Sequence, residues 1–127
     1  VVVCGYEATD SEDFRQRGWI GSIKFGQWIS ERDFSALKTA NPAESYEVYS
    51  SSRWRRQGVH QLVVFGSCSG ITKKLRAEIS AHREEFLGRA FEIKYQLRHA
   101  NGFFRHPRFL KWRADKNPTD CAYRPGL

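Results

Sequence analysis

Ten residues, Arg89 to Arg98, carry the clearest alternation in the chain. Phe91, Ile93, Tyr95 and Leu97 fall on one side, and Glu92, Lys94, Gln96 and Arg98 on the other. A period of two suits a strand with one face in a core and the other in water. Such a strand needs partners, so the flanking sequence has to complete a sheet. Just upstream, Leu75, Ile79 and Phe86 share one face of a predicted helix, Lys73–Leu87, with Thr72 placed to cap its start and Gly88 its end. Before that helix, His60–Cys68 (HQLVVFGSC) reads as a strand closed by a Ser69-Gly70 turn.

Three further strands are expected. Val1–Tyr6 is apolar and β-branched, and residues 7–18 are a polar loop ending at Gly18. Trp19–Trp28 alternates, with Trp19, Gly21, Ile23 and Phe25 on one face and Ile20, Ser22, Lys24 and Gly26 on the other. Its glycines predict a bend, a bulge or a close backbone approach. Residues 29–57 offer a short helix at ERDFSALKTA before Asn41-Pro42, then no stable period up to Gly58. A connection of about 29 residues is long and marks an insertion or a functional loop. Ala100-Asn101-Gly102 reads as a hairpin turn, and Pro107 splits Phe103–Trp112 into two short pieces or an edge. The tail, about 117–127, holds two of the four prolines and is expected on the surface. The order is therefore strand, strand, insertion (about 29–58), strand, helix, strand, strand. That is the plan of an all-β fold with one helix: a five-stranded Greek-key barrel of the OB type, with the helix between strands three and four. Small mixed α+β sheets give the same count.

At 127 residues the chain is one domain, and its net charge of +7 suggests a polyanionic partner. The charge is uneven: −2 over residues 1–31, +3 over 32–88 and +6 over 89–127. Cys4, Cys68 and Cys121 are odd in number and far apart, with no CxxC pair, so they read as reduced, partly buried thiols of an intracellular protein rather than a zinc site or a disulfide framework. No apolar run approaches the roughly 20 residues that span a bilayer, and no signal-peptide pattern opens the chain. A start at VVVCGY, in a chain without methionine, reads as a piece of a longer polypeptide. GxSxG, HExxH and a glycine-rich phosphate loop are all missing, and the four histidines show no pairing by spacing.

The chemically informative stretch is residues 103–121. There Arg105, His106, Arg108, Lys111, Arg113 and Lys116 interleave with Phe104, Phe109 and Trp112. Arginine gives planar bidentate contacts to phosphate oxygens, and lysine adds a compact charge. FRHPRFLKWRADK resembles the last nucleotidyltransferase motif of ATP-dependent DNA ligases, an RFPRF-like stretch running into R-x-D-K, here Arg113, Asp115 and Lys116. VVVCGYEA at 1–8, IGSIKFGQ at 20–27, VFGSCSGIT at 64–72 and FLGRAFEIKYQ at 86–96 resemble the OB domain of the same family in the same order. The resemblance covers nearly all the chain except residues 29–58. Two departures stand out: there is no K-x-D-G, the family's lysine motif on a separate nucleotidyltransferase domain, and the crossing from strand two to strand three is unusually long and holds Arg53, Trp54, Arg55 and Arg56.

The resemblance implies a domain of a nick-sealing enzyme that uses ATP and Mg2+, both bound mainly by the missing nucleotidyltransferase domain. In that family the OB domain first assists self-adenylation. It implies that Arg113 and Lys116 act on the β- and γ-phosphates while Asp115 orients them. The domain then swings to clamp nicked double-stranded DNA through its backbone. Ser22, Lys24 and Gly26 are the implied DNA contacts on strand two, with Lys94, Arg105 and Arg108 further ones. RNA ligases and mRNA capping enzymes have a related OB domain, and a non-catalytic single-strand-binding OB module would account for Trp28, Trp54 and the charge.

Overall fold

The computed structural model describes residues 1–49 and 60–124. In chain order the elements are β1 (Val2–Glu7), α1 (Glu12–Gln16), β2 (Ser22–Ser30), α2 (Glu31–Ala40) and β3 (Val48–Tyr49). There follow β4 (His60–Cys68), α3 (Lys73–Ala81), α4 (Arg83–Phe86), β5 (Phe91–Lys94), β6 (Leu97–Arg98), β7 (Phe104–Arg105) and β8 (Arg108–Trp112). A 3-10 turn, Pro118–Asp120, closes the described tail.

The protein is mostly strand. A curled antiparallel sheet runs β1-β2-β4-β3, and two ribbons, β5-β8 and β6-β7, complete the pairing. Single bridges join the pieces. Val2 meets Ala90 antiparallel, with Val3 N donating to Arg89 O at 3.0 Å and Gly88 N to Val3 O at 2.9 Å. Ser69 meets Arg108 in parallel, with Phe109 N donating to Ser69 O at 2.8 Å. Rings fill the space between. Phe25 stands edge-on to Phe91 at 6.2 Å and Phe91 stacks on Phe109 at 5.4 Å, while Phe86 at the end of α4 lies 5.2 Å from Trp112. Ile79 of α3 is fully buried in the same cluster. A second cluster sits under α2, where Phe34 and Leu37 pack with Ile29, Val63 and Phe65.

Several sequence expectations are met closely. β4 has the expected bounds, Thr72 Oγ1 caps α3 by accepting from Leu75 N at 3.1 Å, and Gly88 takes the left-handed conformation (φ 82°) expected where the helical segment ends. Other expectations are corrected. Four α-helices, not one, occur among the described residues. The loop at 7–18 contains α1, capped by Ser11, and the helix expected over 73–87 breaks at His82 (φ −135°, ψ 45°) into α3 and α4. The Tyr6 hydroxyl donates to Arg83 O at 2.8 Å just beyond that break.

Strand two begins later than expected, because Trp19 turns away to pack on Phe14 at 5.4 Å. Its alternation also fails at a bulge between Phe25 and Gly26, so both are buried. The long alternating run splits at Tyr95-Gln96 into β5 and β6. Its partner strand is interrupted by His106, in the left-handed region at φ 51°, and by Pro107, which has no N–H for the ladder. Tyr95 and Leu97 therefore end exposed instead of lining the core. No helix among the described residues is long and apolar enough to cross a membrane.

Candidate functional site

The turn after β8 is aimed by its last ring. Trp112 is anchored in the aromatic cluster, and Arg113 N donates to Ala90 O at 2.9 Å, so the chain leaves the sheet at a fixed angle. Lys116 N donates to Arg113 O at 3.1 Å and closes the turn. Within it, Arg113 Nε and Nη2 donate to the two carboxylate oxygens of Asp115, each at 3.1 Å. This two-pronged geometry fixes the plane of the guanidinium. Arg113 Nη1 also reaches Glu92 Oε2 at 3.5 Å, and Lys111 Nζ shares that oxygen at 3.8 Å. The Arg113 hydrogen bonds hold the Asp115 carboxyl below its ordinary value, and those to Asp115 raise the Arg113 guanidinium. Lys116 is exposed and makes no ion pair among the described residues.

Arg113 and Lys116 border an open concavity of about 470 Å³. Phe91, Ile93 and Phe104 give it apolar surface, Arg98 and Arg124 add positive charge, and Glu92 and Asp120 add negative charge. One wall is the tail, tied to β2 where Trp28 N donates to Cys121 O at 2.8 Å and Tyr123 N to Trp28 O at 2.7 Å. The three residues of the R-x-D-K motif are thus brought together in one exposed turn beside this concavity.

The other expected site residues divide between two regions. Lys94 and Arg108 face each other directly across the β5-β8 ladder, and Arg105 is exposed on β7. Among the described residues none of the three makes an ion pair. On β2 the picture differs. Lys24 Nζ lies 3.1 Å from both carboxylate oxygens of Glu47, a residue of the insertion. Ser22 pairs with Glu7 across β1-β2, and Glu7 itself accepts from Ser67 Oγ. Gly26 does permit a close approach, but the neighbour is β4: a Cβ there would stand 2.3 Å from Val63 O and 2.9 Å from Cys4 Sγ. Gly26 is buried and offers no open surface. Arg53, Trp54, Arg55 and Arg56 lie outside the described residues.

Sequence reasoning missed Arg98, Glu92 and Glu47. Arg98 read as one of several outward charges on an alternating strand; of the rings around it, Phe104 is its partner across the β6-β7 hairpin, but Phe65 and Tyr123 come from distant positions. Cys4, Cys68 and Cys121 are free and buried, and burial pushes the Cys4 and Cys68 thiols up to about 12. No group of three His, Cys, Asp or Glu side chains among the described residues could hold a metal ion. Comparison with protein-family models, with curated proteins and with solved structures finds no match to this chain.

Proposed function

We propose that this chain is the OB domain of an ATP-dependent DNA ligase, serving self-adenylation through the Arg113-Asp115-Lys116 turn and holding nicked duplex DNA in a later step. The observation that carries the reading is that turn: an exposed guanidinium held in plane by a carboxylate, with an unpaired ammonium beside it, directly after the last strand. The pairing order supports the barrel. β1 lies against β2 and β2 against β4, the end of β4 bridges to β8, β8 pairs with β5, and Ala90 before β5 returns to Val2. Counting β5 with β6 and β7 with β8 as bent single strands, and setting aside the two-residue β3 that borders β4, is consistent with five strands in Greek-key order, with α3 and α4 between the third and fourth.

In this reading the phosphates of ATP meet Arg113 and Lys116 while a nucleotidyltransferase domain elsewhere in the polypeptide supplies the lysine that attacks. Positive charge near the departing diphosphate stabilises it, and Asp115 keeps the guanidinium from wandering. Mg2+ would be held mainly by that other domain, and no step assigned to this chain runs through it. DNA phosphates go first to the unpaired cations Lys94, Arg105 and Arg108. Lys24 and Ser22 join only if Glu47 releases Lys24.

A step-resolved assay of the full-length enzyme tests this. Arg113→Ala or Lys116→Ala should lower the rate of self-adenylation by about a hundredfold, the usual scale for removing one preorganised charge or donor. Sealing of a pre-adenylated nick should fall much less. Equal loss in both steps contradicts the reading.

A further inference from the structure

Arg98 carries a charge into an apolar place. Its guanidinium carbon lies 4.3 Å from the centre of the Phe104 ring, 4.6 Å from Tyr123 and 4.9 Å from Phe65. Nε donates to Gly102 O at 2.8 Å, while Nη2 is buried and meets no acceptor among the described residues. Among the described residues no carboxylate pairs with it. Ring faces offset part of the cost of drying a guanidinium, but an unmet buried donor is costly, and an apolar side chain would fill the same space without that cost. A half-buried cation without a counter-ion makes sense where its counter-ion is a ligand.

The location says which ligand. Arg98 lines the same concavity as Arg113 and Lys116. Of the two acids there, Glu92 is engaged by Arg113 and Lys111, which leaves Asp120 against Arg98, Lys116 and Arg124. A volume of about 470 Å³ is ample for a short condensed phosphate.

We infer that Arg98 is a third cation of an anion site shared with Arg113 and Lys116, and that this site takes a condensed phosphate, either the tail of a nucleotide or the free anion. The inference rests on reading the Arg113–Lys116 turn as phosphate-binding, and it adds a residue that the R-x-D-K motif does not contain.

The test is a titration of the 127-residue chain with inorganic tripolyphosphate at low ionic strength, followed by calorimetry and by the NMR signal of the Arg98 Nε–H. The Nε–H signal should move and saturate with the calorimetric curve. Kd should rise at least tenfold in Arg98→Gln and in Lys116→Ala, and less than twofold in Lys73→Ala at the start of α3. Arg98→Lys should recover part of the loss. If Arg98→Gln does not fold, the wild-type signal decides. A parallel titration with ATP separates the sources: tenfold tighter binding than tripolyphosphate assigns the site to a nucleotide, and equal binding to the free anion. A still Nε–H signal during binding, or wild-type affinity in Arg98→Gln, overturns the role of Arg98 and leaves the reading of Arg113 and Lys116 standing. Failure of the wild-type chain to bind overturns the inference too, and the self-adenylation assay then judges the reading separately.

Discussion

On β2, Lys24 stands among acids. Its ammonium is clasped by both oxygens of Glu47, and Glu7 lies on the neighbouring strand. On β5 and β8, Lys94 and Arg108 stand opposite each other, and among the described residues no carboxylate pairs with either. Both regions hold DNA contacts that the ligase resemblance implies, Ser22, Lys24 and Gly26 in one and Lys94 and Arg108 in the other. The difference is whether those charges are already spent. An exposed ion pair is worth little to stability, yet it lowers the attraction of its lysine for a phosphate. Like charges directly opposite on a ladder are mildly unfavourable, a cost that a bound polyanion would relieve. Counting charges along a chain thus points to a polyanion, while only their partners say where the polyanion goes.

The two regions share one core, and the largest expected effect tests that. Phe25 of β2 touches Phe91 and Phe104 across the interior and is fully buried. Phe25→Ala should cost about 3–5 kcal/mol in denaturant unfolding, with probes on both regions losing structure in one transition. Two separate transitions would mean that the sheet and the β5-β8 ribbon fold independently. A smaller effect sharpens the electrostatic contrast. Glu47→Gln should strengthen nicked-duplex binding by a few fold by freeing Lys24, as read by fluorescence anisotropy. Glu44→Gln, on the same segment but hydrogen-bonded by Asn101, is the control and should change binding less.

Smaller still, Arg108→Thr should raise thermal stability by a few tenths of a kcal/mol, since it removes one of two facing cations. A loss of stability would show that the pair is not under repulsion. The smallest effect concerns Asp115. Its folded pKa is depressed, so the fork to Arg113 is intact above the ordinary aspartate range and is lost as pH falls through the lowered value. NMR titration should find the Asp115 carboxyl below 3.8 in the wild type and moving up toward it in Arg113→Gln.

Much of the framework was legible from residues that act locally. His60–Cys68 is a run of strand formers between a glycine and a Ser-Gly turn. Thr72 and Gly88 mark helix ends by their own chemistry, and Pro107 interrupts a ladder wherever it falls. What escaped depended on residues distant in sequence. The bulge at Phe25-Gly26 arises from how β2 lies on β4, and it turns the expected open glycine into a contact with Val63. The split of β5 from β6 originates in the partner strand at His106 and Pro107. Glu47 and Lys24 are 23 residues apart, and no local pattern joins them. The R-x-D-K stretch stood out in the sequence through its resemblance to the ligase motif, and the Arg113–Asp115 fork within it is local, spanning two residues.

That the free cations of the strands mark the side that holds duplex DNA is tested most directly by the salt dependence of nicked-duplex binding. Each phosphate contact contributes about one unit to the slope of log affinity against log salt. Lys94→Ala combined with Arg108→Ala should reduce that slope by about two, and Lys24→Ala should leave it nearly unchanged. A slope that falls with Lys24→Ala and holds in the double variant would contradict the account.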